Sequence, residues 1–138
     1  MEILKTKIKN ENSLGDTYCP SILPSVELQP LKEIERSIQK KYRSELWSPF
    51  IQALKEFDMV KDGDRIAIAI SGGKDSLLLS KLFQELKRAS RTSFELVFIS
   101  MNPGFNEVNL NNLRKNLDYL KIPCEIYNDN IFEITERI

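Results

Sequence analysis

One short stretch constrains this chain more than any other. In RIAIAI, residues 65–70, Arg65 leads an unbroken run of β-branched and small apolar residues, and SGGKDS follows directly at 71–76. Leu77, Leu78, Leu79, Leu82, Phe83 and Leu86 then repeat with a helical period. A strand that ends in a glycine-rich turn and feeds a helix implies an α/β layer. The near-continuous apolarity of the strand suits a parallel sheet covered by helices on both faces.

The remaining pattern extends that unit. Glu95–Ser100, ELVFIS, reads as a second strand. MNPGFN turns into a helix carrying Leu110, Leu113, Leu117 and Leu120 on one side, with Asn106 placed to cap it. Cys124–Tyr127, CEIY, reads as a third strand, and Ile131–Ile138 begins another helix. Upstream, Pro30 opens a helix with Leu31, Ile34 and Ile38 on one side. A second helix from about Glu45 to Asp58 carries Trp47, Phe50, Ile51, Leu54 and Phe57, and its stripe needs a covering surface. VKDGD, residues 60–64, is a turn. Residues 1–30 hold Gly15, Pro20, Pro24 and Pro30 among short polar runs and read as irregular, with Tyr18, Ile22, Leu23 and Val26 available as a strap.

The order is αα-βαβαβ. Helix-length links between strands predict parallel pairing and right-handed crossovers. The expected division is an N-terminal irregular and helical segment, 1–59, and an α/β nucleotide-binding domain, 60–138. The strand of Ile66–Ile70 is expected between the other two. Three strands make a small sheet, so the chain reads as part of a longer protein. Its open edges predict a homo-oligomer.

Composition narrows the chemistry. Of 138 residues, 20 are basic and 20 acidic, which excludes a strongly basic arm or an acidic tail. Histidine is absent, and with it His-dependent triads, His general bases and His-containing metal motifs. Cys19 and Cys124 form no C-x-x-C pair. There is no run of eighteen apolar residues and no signal-peptide core, so a cytoplasmic protein with free cysteines and no membrane association is expected.

SGGKDS carries the chemistry. Gly72 and Gly73 let backbone N–H groups approach a ligand closely, and the helix that follows points unpaired N–H groups into the same space. Ser71 and Ser76 add hydroxyls, and Lys74 adds a positive charge. Together they suit a di- or triphosphate. Asp75 either caps loop N–H groups or helps hold a magnesium ion that screens the phosphates. The loop is neither G-x-x-x-x-G-K-S/T nor G-x-G-x-x-G. Two basic clusters, Lys40–Lys41–Arg43 and Lys87–Arg88–Arg91, read first as solvated helix ends and second as RNA contacts.

SGGKDS after a hydrophobic strand resembles the pyrophosphate loop of the PP-loop ATP pyrophosphatases. That superfamily includes tRNA thiolases, tRNA lysidine synthetase, and GMP and asparagine synthetases. The closer resemblance is to the tRNA 2-thiocytidine synthetase family. It rests on ERSIQKKYR, ALKEFDMVKDGDRIAIAISGGKDSLLLSKLF and FISMNPGF, and it runs from about Glu35 to Ile138.

The resemblance implies a three-layer αβα fold of the adenine nucleotide alpha hydrolase type, truncated here and preceded by the helical segment. It implies that Ser71, Gly72, Gly73, Lys74, Asp75 and Ser76 hold ATP phosphates, with Lys74 and Asp75 in the catalytic role. Edge backbone groups near Ile70 and Ile99–Met101 would receive adenine and ribose. Asn102 stands where relatives often carry an acid, so it supplies a hydrogen bond but no charge. The implied activity is an AMP-forming tRNA sulfurtransferase: ATP and Mg²⁺ activate a nucleobase oxygen, and a sulfur donor then displaces AMP. Its partners would be tRNA and that donor. The family's C-x-x-C and further cysteine, associated with an iron–sulfur cluster, are absent, so a cluster is expected only in a longer chain. Cys124 reads as a buried apolar cysteine. A lysidine synthetase-like ligase and a non-catalytic nucleotide-binding module are the alternatives.

Overall fold

The computed structural model of the chain describes residues 28–102, 104 and 106–128. The strap and Cys19, residues 103 and 105 of the turn, and the helix expected at 131–138 lie outside those residues. The elements are α1 (Leu31–Gln39), α2 (Ser48–Glu56), β1 (Arg65–Ala69), α3 (Lys74–Ala89), β2 (Glu95–Asn102), α4 (Glu107–Leu120) and β3 (Cys124–Asn128). Asn106 caps α4 as its sequence suggests, its side chain accepting from Asn109 N.

Between α1 and α2 the chain makes one π-helical turn, Arg43–Trp47, running straight into α2. The sequence reads as a single helix here. Pro49 explains the difference. It has no N–H to donate, and its ring crowds the carbonyl four residues back. A wider turn moves that carbonyl aside without breaking the helix.

The sheet is parallel throughout, in the order β1-β2-β3. β1 is therefore at an edge and β2 is central, which corrects the expectation that Ile66–Ile70 lies in the middle. Two successive crossovers of the same hand and direction place α3 and α4 on one face of the sheet. The strands show the consequence. Ile68 and Phe98, register partners, are buried, whereas Ala67 and Ala69 are exposed. The two-sided burial inferred from apolarity is not present among the described residues. Ala67, Ala69, Val97, Ile99 and Met101 line the open face.

On the covered face, one hydrophobic cluster joins Ile68, Ile70 and Phe98 of the sheet to Leu77, Leu82, Phe83 and Leu86 of α3 and to Leu113 and Leu117 of α4. Ile38, Trp47 and Leu54 of the helical segment belong to the same cluster. Phe50 meets Phe83 edge-on, ring centroids 5.2 Å apart, and Trp47 stacks obliquely on Phe50. The stripe of α2 thus finds its surface on the outer side of α3. Phe57 is the exception, 69% exposed. It falls after the last helical residue, and Asp58 turns the chain with φ +48°, so Phe57 leaves the stripe.

Candidate functional site

The loop emerges from a pinned strand end. Ile70 N–H donates to the Ile99 carbonyl at 2.8 Å, and the Ser100 hydroxyl donates to the Ile70 carbonyl at 2.7 Å. Ser100 is fully buried, and nothing in its local sequence marks it out. Its partner lies thirty residues away, a contact that periodicity cannot reveal. Ser100→Ala would leave the Ile70 carbonyl without its side-chain donor. The expected loss is about 1–3 kcal/mol, read by urea unfolding. An unchanged midpoint would show that the bond does not hold the strand exit.

From Ile70 the chain bends through Gly72, whose φ of +93° a side-chain-bearing residue rarely adopts. Gly73 has an ordinary φ of −77° and stands at the N-cap of α3. A Cβ there would meet nothing closer than the Ser71 hydroxyl at 3.6 Å. The conformational need for glycine therefore falls on Gly72, while Gly73 leaves the approach to the helix end open.

The loop is held by its own hydroxyls. Ser76 Oγ donates to the Gly73 carbonyl at 3.0 Å, Ser71 Oγ lies 3.3 Å from Ser76 Oγ, and Gly73 N–H donates to Ser71 Oγ at 3.4 Å. Ser80, fully buried one turn on, ties back to the Ser76 carbonyl at 2.8 Å. No side chain caps α3 among the described residues, and the first-turn amides have no helical acceptor. Asp75 does not take up the capping role considered for it. It pairs with Lys74, Nζ to Oδ1 3.1 Å, and the two side chains are 87% and 89% exposed. An ion pair so open to water holds its partners weakly. Lys74 is thus free to turn to an anion over the helix end, and Asp75 stays at the rim.

The other residues singled out from sequence sit at the ends of β2 and β3. Within Ile99–Met101 only Ile99 is paired with both neighbours; β1 ends opposite it, and Ser100 and Met101 are in register with β3 alone. What Ile99 and Met101 offer is side chains on the open face, Met101 largely exposed. Asn102 organises the following turn: its Nδ2 donates to Asn128 Oδ1 at 3.0 Å, and its Oδ1 accepts from Gly104 N–H at 3.1 Å.

Cys124 is half-buried on the covered side of β3. Burial pushes its thiol up, and the neighbouring Glu125 carboxylate pushes it further, so the thiolate is disfavoured. Among the described residues, no three His, Cys, Asp or Glu side chains cluster as a metal site.

Comparison with known proteins adds names to this geometry. The chain is 37% identical over 87 residues to tRNA-cytidine(32) 2-sulfurtransferase of Pelobacter propionicus, a stretch covering 62% of this chain and 32% of that protein. It is 35% identical over 117 residues to tRNA-cytidine(32) 2-sulfurtransferase 1 of Francisella tularensis subsp. tularensis, 83% of this chain and 40% of that protein. It is 35% identical over 88 residues to tRNA-cytidine(32) 2-sulfurtransferase of Vibrio cholerae, 62% of this chain and 27% of that protein. The chain therefore spans less than half the length of the curated relatives it matches. Their names agree with the resemblance read from SGGKDS and its flanks. No protein-family model matches the chain.

Proposed function

We propose that this chain is the ATP-binding part of a tRNA-modifying sulfurtransferase that activates a cytidine of tRNA for thiolation. The observation that carries the reading is the SGGKDS turn at the uncapped N-terminus of α3, in a chain 35–37% identical to proteins named tRNA-cytidine(32) 2-sulfurtransferase. The site lies beyond the carboxyl end of β1, where open α/β sheets place their ligands.

In this reading the loop binds the β- and γ-phosphates of ATP. A bond forms between the nucleobase carbonyl oxygen and the α-phosphorus, and the bond from that phosphorus to the bridging oxygen breaks. Pyrophosphate leaves with the electron pair, its charge met by the first-turn amides and by Lys74. A sulfur nucleophile from a donor then attacks the activated carbon, and AMP departs with the original oxygen. No side chain of this chain needs to act as a nucleophile in the first step. Asp75 at the rim would be the carboxylate to help hold a magnesium ion, and that ion would supply charge to screen the phosphates. An iron–sulfur cluster does not fit the described residues: Cys124 is the one cysteine among them, and no three His, Cys, Asp or Glu side chains gather there as a metal site.

Calorimetric titration of ATP with Mg²⁺ into the parent chain and its Lys74→Ala variant tests the reading. The variant should bind ten- to a hundredfold more weakly, about 1.5–3 kcal/mol, with its melting curve unchanged. Equal affinities in two folded proteins would remove Lys74 from the phosphate site.

A further inference from the structure

The two basic clusters have different fates in the fold. In the second, Arg88 is engaged by carboxylates, its guanidinium donating to Glu35 at 2.8 and 3.0 Å and to Glu85 at 2.7 Å, while Lys87 and Arg91 are exposed and in no ion pair among the described residues. In the first, Lys40, Lys41 and Arg43 are exposed at the turn between α1 and the π-helical segment, and no carboxylate pairs with any of them among the described residues. Lys41 Nζ lies over the Tyr42 ring, 5.2 Å from its centroid, and the ring is itself exposed. Arg43 also lines an open cleft with Gln52 and Lys55, and Lys55 likewise pairs with no carboxylate among the described residues. Three carboxylates lie nearby: Glu45 in the π turn, Glu56 in the cleft, and Asp58, which shares a second pocket with Lys55 and pairs with Lys61 at 3.0 Å. Among the described residues, the surface therefore carries four cations outside any ion pair against two such acids, beside an exposed aromatic ring.

The turn and α2 are seated on α3. Phe50 packs on Phe83, and Leu54 lines a pocket with Leu86 and Ser90. α2 thus runs alongside α3 in the same sense, and its N-terminal end faces the end of α3 that bears the loop. Gln39, the residue before Lys40, donates to Glu85 at 3.0 Å, which holds the start of the turn against the second half of α3.

We infer that Lys40, Lys41 and Arg43, with Lys55 across the cleft and Tyr42 as a stacking surface, form an RNA-binding face that grips the phosphate backbone of the tRNA. This rests on the proposed function and extends it from the nucleotide loop to the RNA. Cations meet the backbone without reading sequence, and an exposed tyrosine accepts an unstacked base.

The test uses the parent chain and a fluorescent, unmodified tRNA transcript, with binding measured across a salt series. The Lys40→Gln/Lys41→Gln/Arg43→Gln variant should bind at least tenfold more weakly at low salt. Its log–log salt slope should be shallower by about 2–3, close to one unit for each phosphate no longer neutralised. Glu45→Lys should tighten binding severalfold, a gain that a structural role for the turn does not predict. ATP titrations of both variants should match the parent, since none of these residues belongs to the loop. Parent and triple variant with the same affinity and slope would overturn this face while leaving a tRNA-acting protein in place. A parent that binds ATP but no transcript would overturn the face and the tRNA reading together, leaving only the nucleotide site. Should the triple variant fold poorly, Lys40→Gln alone and Glu45→Lys must still move affinity in opposite directions, and failure of either overturns the inference.

Discussion

Glu35→Ala will cost the chain about 3–5 kcal/mol of stability, because it strands a cation in the interior. Lys81 sits midway along α3 with its side chain 3% exposed. Its Nζ donates to Glu35 Oε1 at 2.7 Å, Gln84 Oε1 at 2.8 Å and the Leu120 carbonyl at 3.0 Å. One ammonium thus joins α1, α3 and the end of α4. Arg88 closes the network from the solvent side, and Gln39 donates to Glu85 at 3.0 Å. Without Glu35, Lys81 keeps only neutral acceptors. For a domain whose whole stability is of order 5–15 kcal/mol, that loss is severe.

Urea unfolding of the parent and variant measures it, and a loss under about 1 kcal/mol would show that Lys81 reaches water in solution. Glu35→Leu combined with Lys81→Met should recover much of the loss, since an apolar pair of similar volume often replaces a buried ion pair without penalty.

The same network sets an acid limit. Hydrogen bonding from Arg88, helped by Lys81 and opposed by burial, lowers the Glu35 carboxyl from 4.5 to about 2. A depressed carboxylate contributes stability that is complete above its unfolded value and is lost as pH falls through its folded one. The parent should therefore lose stability between about pH 4.5 and 2, and Glu35→Ala should show a flatter dependence in that window. Parallel profiles would assign the acid sensitivity elsewhere.

Phe98→Ala is the second large effect, about 3–5 kcal/mol, whereas Val97→Ala beside it should cost about 1 kcal/mol or less. Phe98 is 3% exposed at the centre of β2, flanked in register by Ile68 and Cys124 under the helices. Truncation there opens a cavity that the packed helices fill only in part. Val97 points to the other face, where Ala67 is exposed beside it. Equal losses at the two positions would mean that both faces are covered in solution and would overturn the one-sided sheet.

Sequence alone determined what depends on near neighbours along the chain. The helical periods of Leu31–Ile34–Ile38 and Leu110–Leu113–Leu117–Leu120 each became a helix, Asn106 became the cap, and RIAIA, ELVFIS and CEIY became strands. The phosphate-loop candidate was legible for the same reason: glycine freedom, hydroxyls, a lysine and a helix start all fall within six residues.

Tertiary structure decided the rest. Apolar alternation in β1 looks the same whether one face or two are covered, so only the direction of the crossovers put β2 in the centre and left Ala67 and Ala69 open. Phe57 fits the stripe of α2 by spacing, but the reversal at Asp58 carries it off. Glu35 and Lys81 are 46 positions apart and Ser100 and Ile70 are 30 apart. A local pattern records which residues a helix or strand can present. Which distant group meets each of them is settled only when the elements pack, because a buried charge or hydroxyl must then find whatever partner the packing brings within reach.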